Sequence, residues 1–227
     1  YHSVPGALVP LQAKVWLTYD AENLYMAWRC DLAAEKPVGE VRPRDRAVFN
    51  DESIEFLFES PARPGILFHF IGNAYGSIYD EILPGKGQRD RTWSGPWEYR
   101  THVVGASHWD GELRIPLAEL GLPVPKVGDV WRMNVARNGF EPQYQSIWSH
   151  STKGYTDRDA LAVFATHADT GVQAHVVADH ADLVHGLPAV ANQGGPLDRV
   201  LNLALLNPIR LGRGEDKLAA GDVDLAT

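Results

Sequence analysis

The chain has 227 residues and a mass of 25.1 kDa, room for one large domain or two small ones. It is 44% hydrophobic and 22% charged, with 21 Lys+Arg against 29 Asp+Glu and a formal charge of -8. That balance excludes a mainly disordered chain, and an acidic surface repels phosphate backbones, so no nucleic acid is expected as a partner. No apolar run approaches the roughly 20 residues of a spanning helix, so no membrane-spanning helix is expected either. The single cysteine, Cys30, excludes an internal disulfide and multi-cysteine zinc sites.

Short alternating segments follow one another along the chain. Lys14 to Tyr19 places Val15, Leu17 and Tyr19 on one face. Asp20-Ala21-Glu22-Asn23 supplies a turn, and Leu24 to Cys30 resumes the period of two, so a hairpin is expected. Ser53 to Phe58 alternates again, with Ile54, Phe56 and Phe58 on one side and Ser53 and Glu55 on the other. Ile66 to Ile71 is almost continuously apolar, the mark of a strand covered on both faces. Further strands are expected at Ser77–Leu83, Trp97–Val104, Glu112–Ile115, Val130–Arg137, Ser146–Trp148 and Leu161–Phe164, while Pro116 to Gly121 has length for one helical turn.

All 7 Trp, 8 Tyr and 7 Phe lie between Tyr1 and Phe164. The composition therefore predicts an aromatic-rich domain over 1–165 and, over 166–227, a C-terminal extension or the start of a further domain. In that extension Val172–Val177 reads as a strand, and Leu197 to Leu205 as a helix or a strand. The first unit is expected to be all-β, a two-sheet antiparallel β-sandwich of immunoglobulin-like or jelly-roll-like layout, since no helix of useful length separates the strands.

Chemical motifs are scarce. There is no G-x-S-x-G elbow, P-loop, H-E-x-x-H or complete dinucleotide fingerprint, so nothing in the motifs compels an enzyme. The pairs Asp51-Glu52 and Asp80-Glu81 point to opposite faces of a strand and read as solvated turn residues. His167, His175, His180 and His185 are spaced to scatter rather than to converge on a metal. A haem takes axial ligands that are usually His or Met, and Met26 and Met133, the available thioethers, sit with apolar neighbours and read as core filler. In the Gly/Pro-bearing loop at Trp93-Ser94-Gly95-Pro96-Trp97, an exposed indole could stack on a sugar face, or Trp97 could begin a strand and plug one end of the sandwich.

Six segments in order resemble the family 9 carbohydrate-binding modules and their wider DOMON-like relatives. They are Trp16 to Ala27, Phe49 to Leu57, Phe70 to Gly76, Trp109 to Pro116 followed by Leu120-Gly121, Gly128 to Arg137, and Ser146 to Ser149. The resemblance covers residues 14–165. It implies a noncatalytic module of a secreted or periplasmic carbohydrate-active protein, binding an oligo- or polysaccharide, with calcium in a structural role. In sugar-binding members two tryptophans sandwich a saccharide end, and a strand Glu with Asn and Arg side chains hydrogen-bonds it. Glu55 and Asn73 match the Glu and Asn, Phe49 falls at the first Trp, Tyr155 stands nearest the second, and the Arg has no counterpart near His69. Asp51, Asp80 and Asp90 are the implied calcium ligands.

The resulting expectation is that Glu55 shares a concavity with Phe49 and Asn73, with Tyr155 or Trp93 as the opposite stacking wall. The alternative for Glu55 is a structural ion pair with Arg100 or Arg137. For the chain as a whole the alternatives are a DOMON-like haem or redox domain, and an accessory interaction domain that has lost sugar binding.

Overall fold

The computed structural model describes residues 11–85, 87–126, 128–140, 143–151 and 153–165. The expectations for 166–227, including the four histidines, the Val172–Val177 strand and the segment Leu197 to Leu205, lie outside the described residues. Among the described residues ten strands form: β1 (Ala13–Tyr19), β2 (Asn23–Asp31), β3 (Ser53–Glu59), β4 (Ile66–Asn73), β5 (Ile78–Pro84), β6 (Glu98–Val104), β7 (His108–Pro116), β8 (Val130–Phe140), β9 (Gln143–Ile147) and β10 (Ala162–Ala165). They make two antiparallel sheets. The first has the order β1-β2-β7-β6. The second runs β10-β8-β3-β4-β5, with β9 pairing the distal half of β8.

The predicted hairpin is β1–β2, in which the Asp20 carboxylate accepts the Glu22 and Asn23 backbone N–H groups at 2.8 and 2.7 Å. Three strand bounds differ from the sequence pattern by three residues or more, one of them the end of β8, which runs on to Phe140 where it pairs with β9. β7 begins at His108 because Trp109 and Asp110 pair with Cys30 and Arg29, and β9 begins at Gln143 through pairing with β8. The helical turn expected between Pro116 and Gly121 is a 3-10 turn, Ala118–Leu120, closed by Gly121 at φ 69.

Alternation builds the core directly. Val15, Leu17, Leu24, Met26, Trp28, Leu113 and Ile115 from the first sheet meet Ile54, Phe56, Phe58, Phe68, Phe70, Trp131 and Met133 from the second. Phe58 sits at the centre, its ring 5.0 Å from Phe68 and 5.6 Å from Trp131. Met26 and Met133 are both core filler. Two inward glycines make room for rings: a Cβ on Gly111 would collide with Trp28, and one on Gly72 with Tyr99. Those rings stack at 5.6 Å across the space so created.

The second sheet is also covered on its outer face. All seven residues of β3 are buried, and all of β4 except its first. At one end the 3-10 turn Val48–Asn50 lays Val48 on Ile71 and Tyr79. At the other, the segment from Ser149 to Leu161 lays Leu161 and Tyr155 on Leu57, Leu67 and Leu83. It is anchored by Asn134, whose amide donates to Ser149 O at 2.9 Å and accepts from Ser149 N. This second layer holds a polar row against the sheet.

Candidate ligand-binding site

Pairing register assembles the row. Leu57 on β3 lies opposite His69 on β4, which lies opposite Glu81 on β5. In the neighbouring register position Glu55, Ile71 and Tyr79 are aligned. His69 Nε2 is 2.7 Å from Glu55 Oε2 and Nδ1 is 3.0 Å from Glu81 Oε1. Both ring nitrogens face carboxylate oxygens, so the ring donates through both as an imidazolium. Asn138 donates to Glu55 Oε1 at 2.8 Å, and Arg89 grips Glu81 with two donors, Nε to Oε2 at 3.0 Å and Nη2 to Oε1.

The row is almost closed to water: Glu55 is 4% exposed, His69 2% and Glu81 0%. Burial by itself pushes the His69 pKa down, but hydrogen bonds to Glu55 and Glu81 and their charges outweigh it and lift the ring to about 9. For Glu81 burial pushes upward, while the bonds from His69 and Arg89 prevail and hold the carboxyl at about 2. The row is thus charged, and its two carboxylates are balanced by His69 and Arg89.

Aromatic groups flank it. Phe49, at 42% exposure, packs edge-to-face on Tyr79 at 5.8 Å. Tyr155 is half-buried on the other side, its hydroxyl donating to Arg137 O at 3.2 Å. Burial first, and the Glu55 charge second, raise the Tyr155 pKa. Gln145, exposed, donates to Asn138 Oδ1 at 3.2 Å and completes the rim. Chemically this is a charged hydrogen-bonded row, flanked by Phe49 and Tyr155, whose carboxylates are already met by His69, Arg89 and Asn138.

The sequence-predicted residues divide accordingly. Glu55, Phe49 and Tyr155 surround the row. Glu55 does not pair with Arg100 or Arg137; Arg137 instead binds Glu52, through Nε at 3.0 Å. Asn73 is fully committed elsewhere, donating to Glu40 O and Asp51 Oδ2 and accepting from Tyr75 N and Ser77 N, which closes the turn after β4. Trp93 packs edge-on against Phe68 and Phe70, at 5.8 and 5.9 Å, on the core side of the sheet and therefore away from Glu55. Trp97 joins it against Phe70 at 5.2 Å, plugging that end of the sandwich.

The carboxylate pairs correct a second expectation. Asp51, Glu52, Asp80 and Glu81 are all buried, so they are not solvated turn residues. The opposite-face argument itself stands: Glu81 points to the row, and Asp80 takes Arg44 at 2.7 Å and the Gly95 N–H. Asp51 takes Arg42 at 2.7 and 2.8 Å, and Asp90 caps its own turn through Thr92 and Trp93. Asp51, Asp80 and Asp90 thus face separate cationic or N–H partners and do not converge. No group of three metal-ligating side chains occurs among the described residues. These carboxylates do not fit a calcium cage.

Two members of the row, His69 and Glu81, escaped the sequence reading. Their signal was present: His69 is the lone polar residue of an apolar strand, and Glu81 lies two residues from Leu83 on the same face.

A two-layer antiparallel sandwich is an architecture shared by many domains of unrelated sequence. Three solved structures share the fold. A Bacteroides uniformis protein proposed to bind carbohydrate matches with TM-score 0.57 and 12% identity, over 68% of this chain and 78% of that one. A family 9 carbohydrate-binding module from Caldicellulosiruptor kristjanssonii in complex with glucose gives TM-score 0.51 and 13% identity, over 73% and 82%. A module of the same family and organism in complex with cellotriose gives 0.50 and 12%, over 80% and 84%. No protein-family model and no curated protein matches the sequence. The chain has the fold of the family 9 carbohydrate-binding modules.

Proposed function

We propose that the chain is a noncatalytic carbohydrate-binding module that takes an oligo- or polysaccharide on the outer face of its larger sheet, as part of a secreted or periplasmic carbohydrate-active protein. The observation that carries this reading is the Glu55–His69–Glu81 row set between Phe49 and Tyr155. An aromatic face covers the C–H side of a pyranose, while recessed carboxylates accept its hydroxyls in charge-assisted hydrogen bonds. The glucose and cellotriose complexes of fold relatives support the same ligand class. Within the row Glu55 is the hydroxyl acceptor, Phe49 the exposed stacking platform, and Tyr155 the opposite wall.

Isothermal titration of the purified chain with glucose and soluble gluco-oligosaccharides tests the proposal. Saturable binding that Phe49→Ala weakens about tenfold is the expected result, given about 1–3 kcal/mol for a ring stacked on an aromatic. One observation favours the accessory-domain reading: Glu55, His69 and Glu81 already satisfy one another. Absence of any binding up to millimolar sugar would establish that reading instead.

A further inference from the structure

The charges at the rim are not balanced in the way the buried row is. Glu55 and Glu81 contribute two negative charges, and His69 and Arg89 contribute two positive ones, each within hydrogen-bond distance of a carboxylate. Arg91 is additional. Its guanidinium is 69% exposed and its Nε is 3.9 Å from Glu81 Oε2, beyond a hydrogen bond. Tyr79 and Glu81 stand two residues apart on β5 and share its outer face, so Arg91 beside Glu81 lies on the same side of the sheet as Tyr79. Tyr79 in turn carries the exposed Phe49 ring on its edge. A ring stacked on Phe49 therefore shares the outer face of the sheet with a cation that is exposed to water, at the end of a chain of groups running Glu55–His69–Glu81 across three strands.

From this geometry we infer that the saccharide is acidic: a uronic acid whose ring carboxylate pairs with Arg91 while the ring lies on Phe49. The inference rests on the sugar-binding reading above and narrows it. A neutral sugar leaves the Arg91 donors to water. A carboxylate converts them into a charge-assisted, bidentate pair, for which the planar guanidinium fork is suited. Because Arg91 is exposed, the gain is screened, and a preference of about threefold to tenfold is expected rather than the larger factor of a buried pair.

The test compares matched ligands near pH 7, where the uronate is ionised. Glucose is set against glucuronate, and cellotriose against the trimer oxidised to carboxylates at C6, each titrated calorimetrically into the wild-type chain and into Arg91→Ala. The expected result is tighter binding of the acidic partner in each pair, a ratio falling to about one in Arg91→Ala, and a smaller ratio at high salt. Binding of the neutral sugars with no gain for the uronates overturns this inference and leaves the sugar-binding reading standing. A preference that survives in Arg91→Ala overturns the assignment to that residue. Failure of both ligand classes to bind overturns the sugar-binding reading and this inference together.

Discussion

Glu55 has two duties, and substitutions separate them. It is buried, and it supplies one of the two carboxylates that hold the His69 imidazolium. Glu55→Ala removes that partner and leaves a buried cation half-paired, which should cost about 3–5 kcal/mol in a urea titration. Glu55→Gln preserves shape and keeps an acceptor for His69, so the fold should survive while saccharide affinity drops about tenfold by calorimetry, the worth of a charge-assisted bond. The same row makes stability depend on pH in a defined direction. His69 titrates near 6.5 when free and near 9 in the fold. Its contribution is complete below its unfolded pKa and is lost as pH rises through about 9. Glu81 moves from 4.5 to about 2, so its contribution is present above 4.5 and is lost as pH falls through about 2. These two groups thus favour a stability maximum between their unfolded values. The urea midpoint should fall as pH is raised from neutrality toward 9.5, and His69→Gln should flatten that alkaline limb; an unchanged limb would contradict the charged-row account.

Among the elements, β4 shows how burial on both faces constrains a strand. Its inward residues Phe68 and Phe70 enter the core, its outward Leu67 and Ile71 lie under the covering segments, and Gly72 leaves space for Tyr99. Tyr99 uses that space to cross from β6 to the other sheet, where its hydroxyl donates to Asn73 O at 2.6 Å. A methyl group at Gly72 would meet the Tyr99 ring and displace the bridge. Gly72→Ala should therefore lower stability by about 1–3 kcal/mol, the usual cost of overpacking. Differential scanning calorimetry measures this, and Gly72→Ala in a Tyr99→Leu background should recover part of the loss. The glycine is required here by close approach of a side chain, since its backbone dihedral is ordinary.

For the whole molecule, one apolar cluster joins strands of both sheets, so neither sheet can lose its partner without exposing the other's inner face. Trp131 is 2% exposed and touches Phe58. Trp131→Ala should cost about 3–5 kcal/mol, and the two sheets should show near-UV and far-UV circular dichroism changes that coincide on denaturation. Separate transitions for the two signals would mean that the sheets are not one cooperative unit.

The architecture was legible in the sequence because alternation is a local property. Whether Ile54, Phe56 and Phe58 share a face follows from the pleat alone, and so does the division of Asp80 from Glu81. The ten strands, the hairpin at Asp20–Asn23 and the double covering of Ile66 to Ile71 all follow from such short-range patterns. Glu55, Phe49 and Tyr155 were legible as candidates in the same way, by strand position and aromatic character. What the sequence could not contain was pairing register. Only register sets His69 between Glu55 and Glu81, residues 14 and 12 positions away in the chain. Only packing turns Trp93 inward onto Phe68 and Phe70 and commits Asn73 to the turn after β4. Burial of the acidic pairs is likewise a tertiary result. Arg44 and Arg137 arrive from distant segments, and Arg42 and Arg89 from nearby loops, to neutralise them, and an isolated carboxylate in the same place would have had to remain in water.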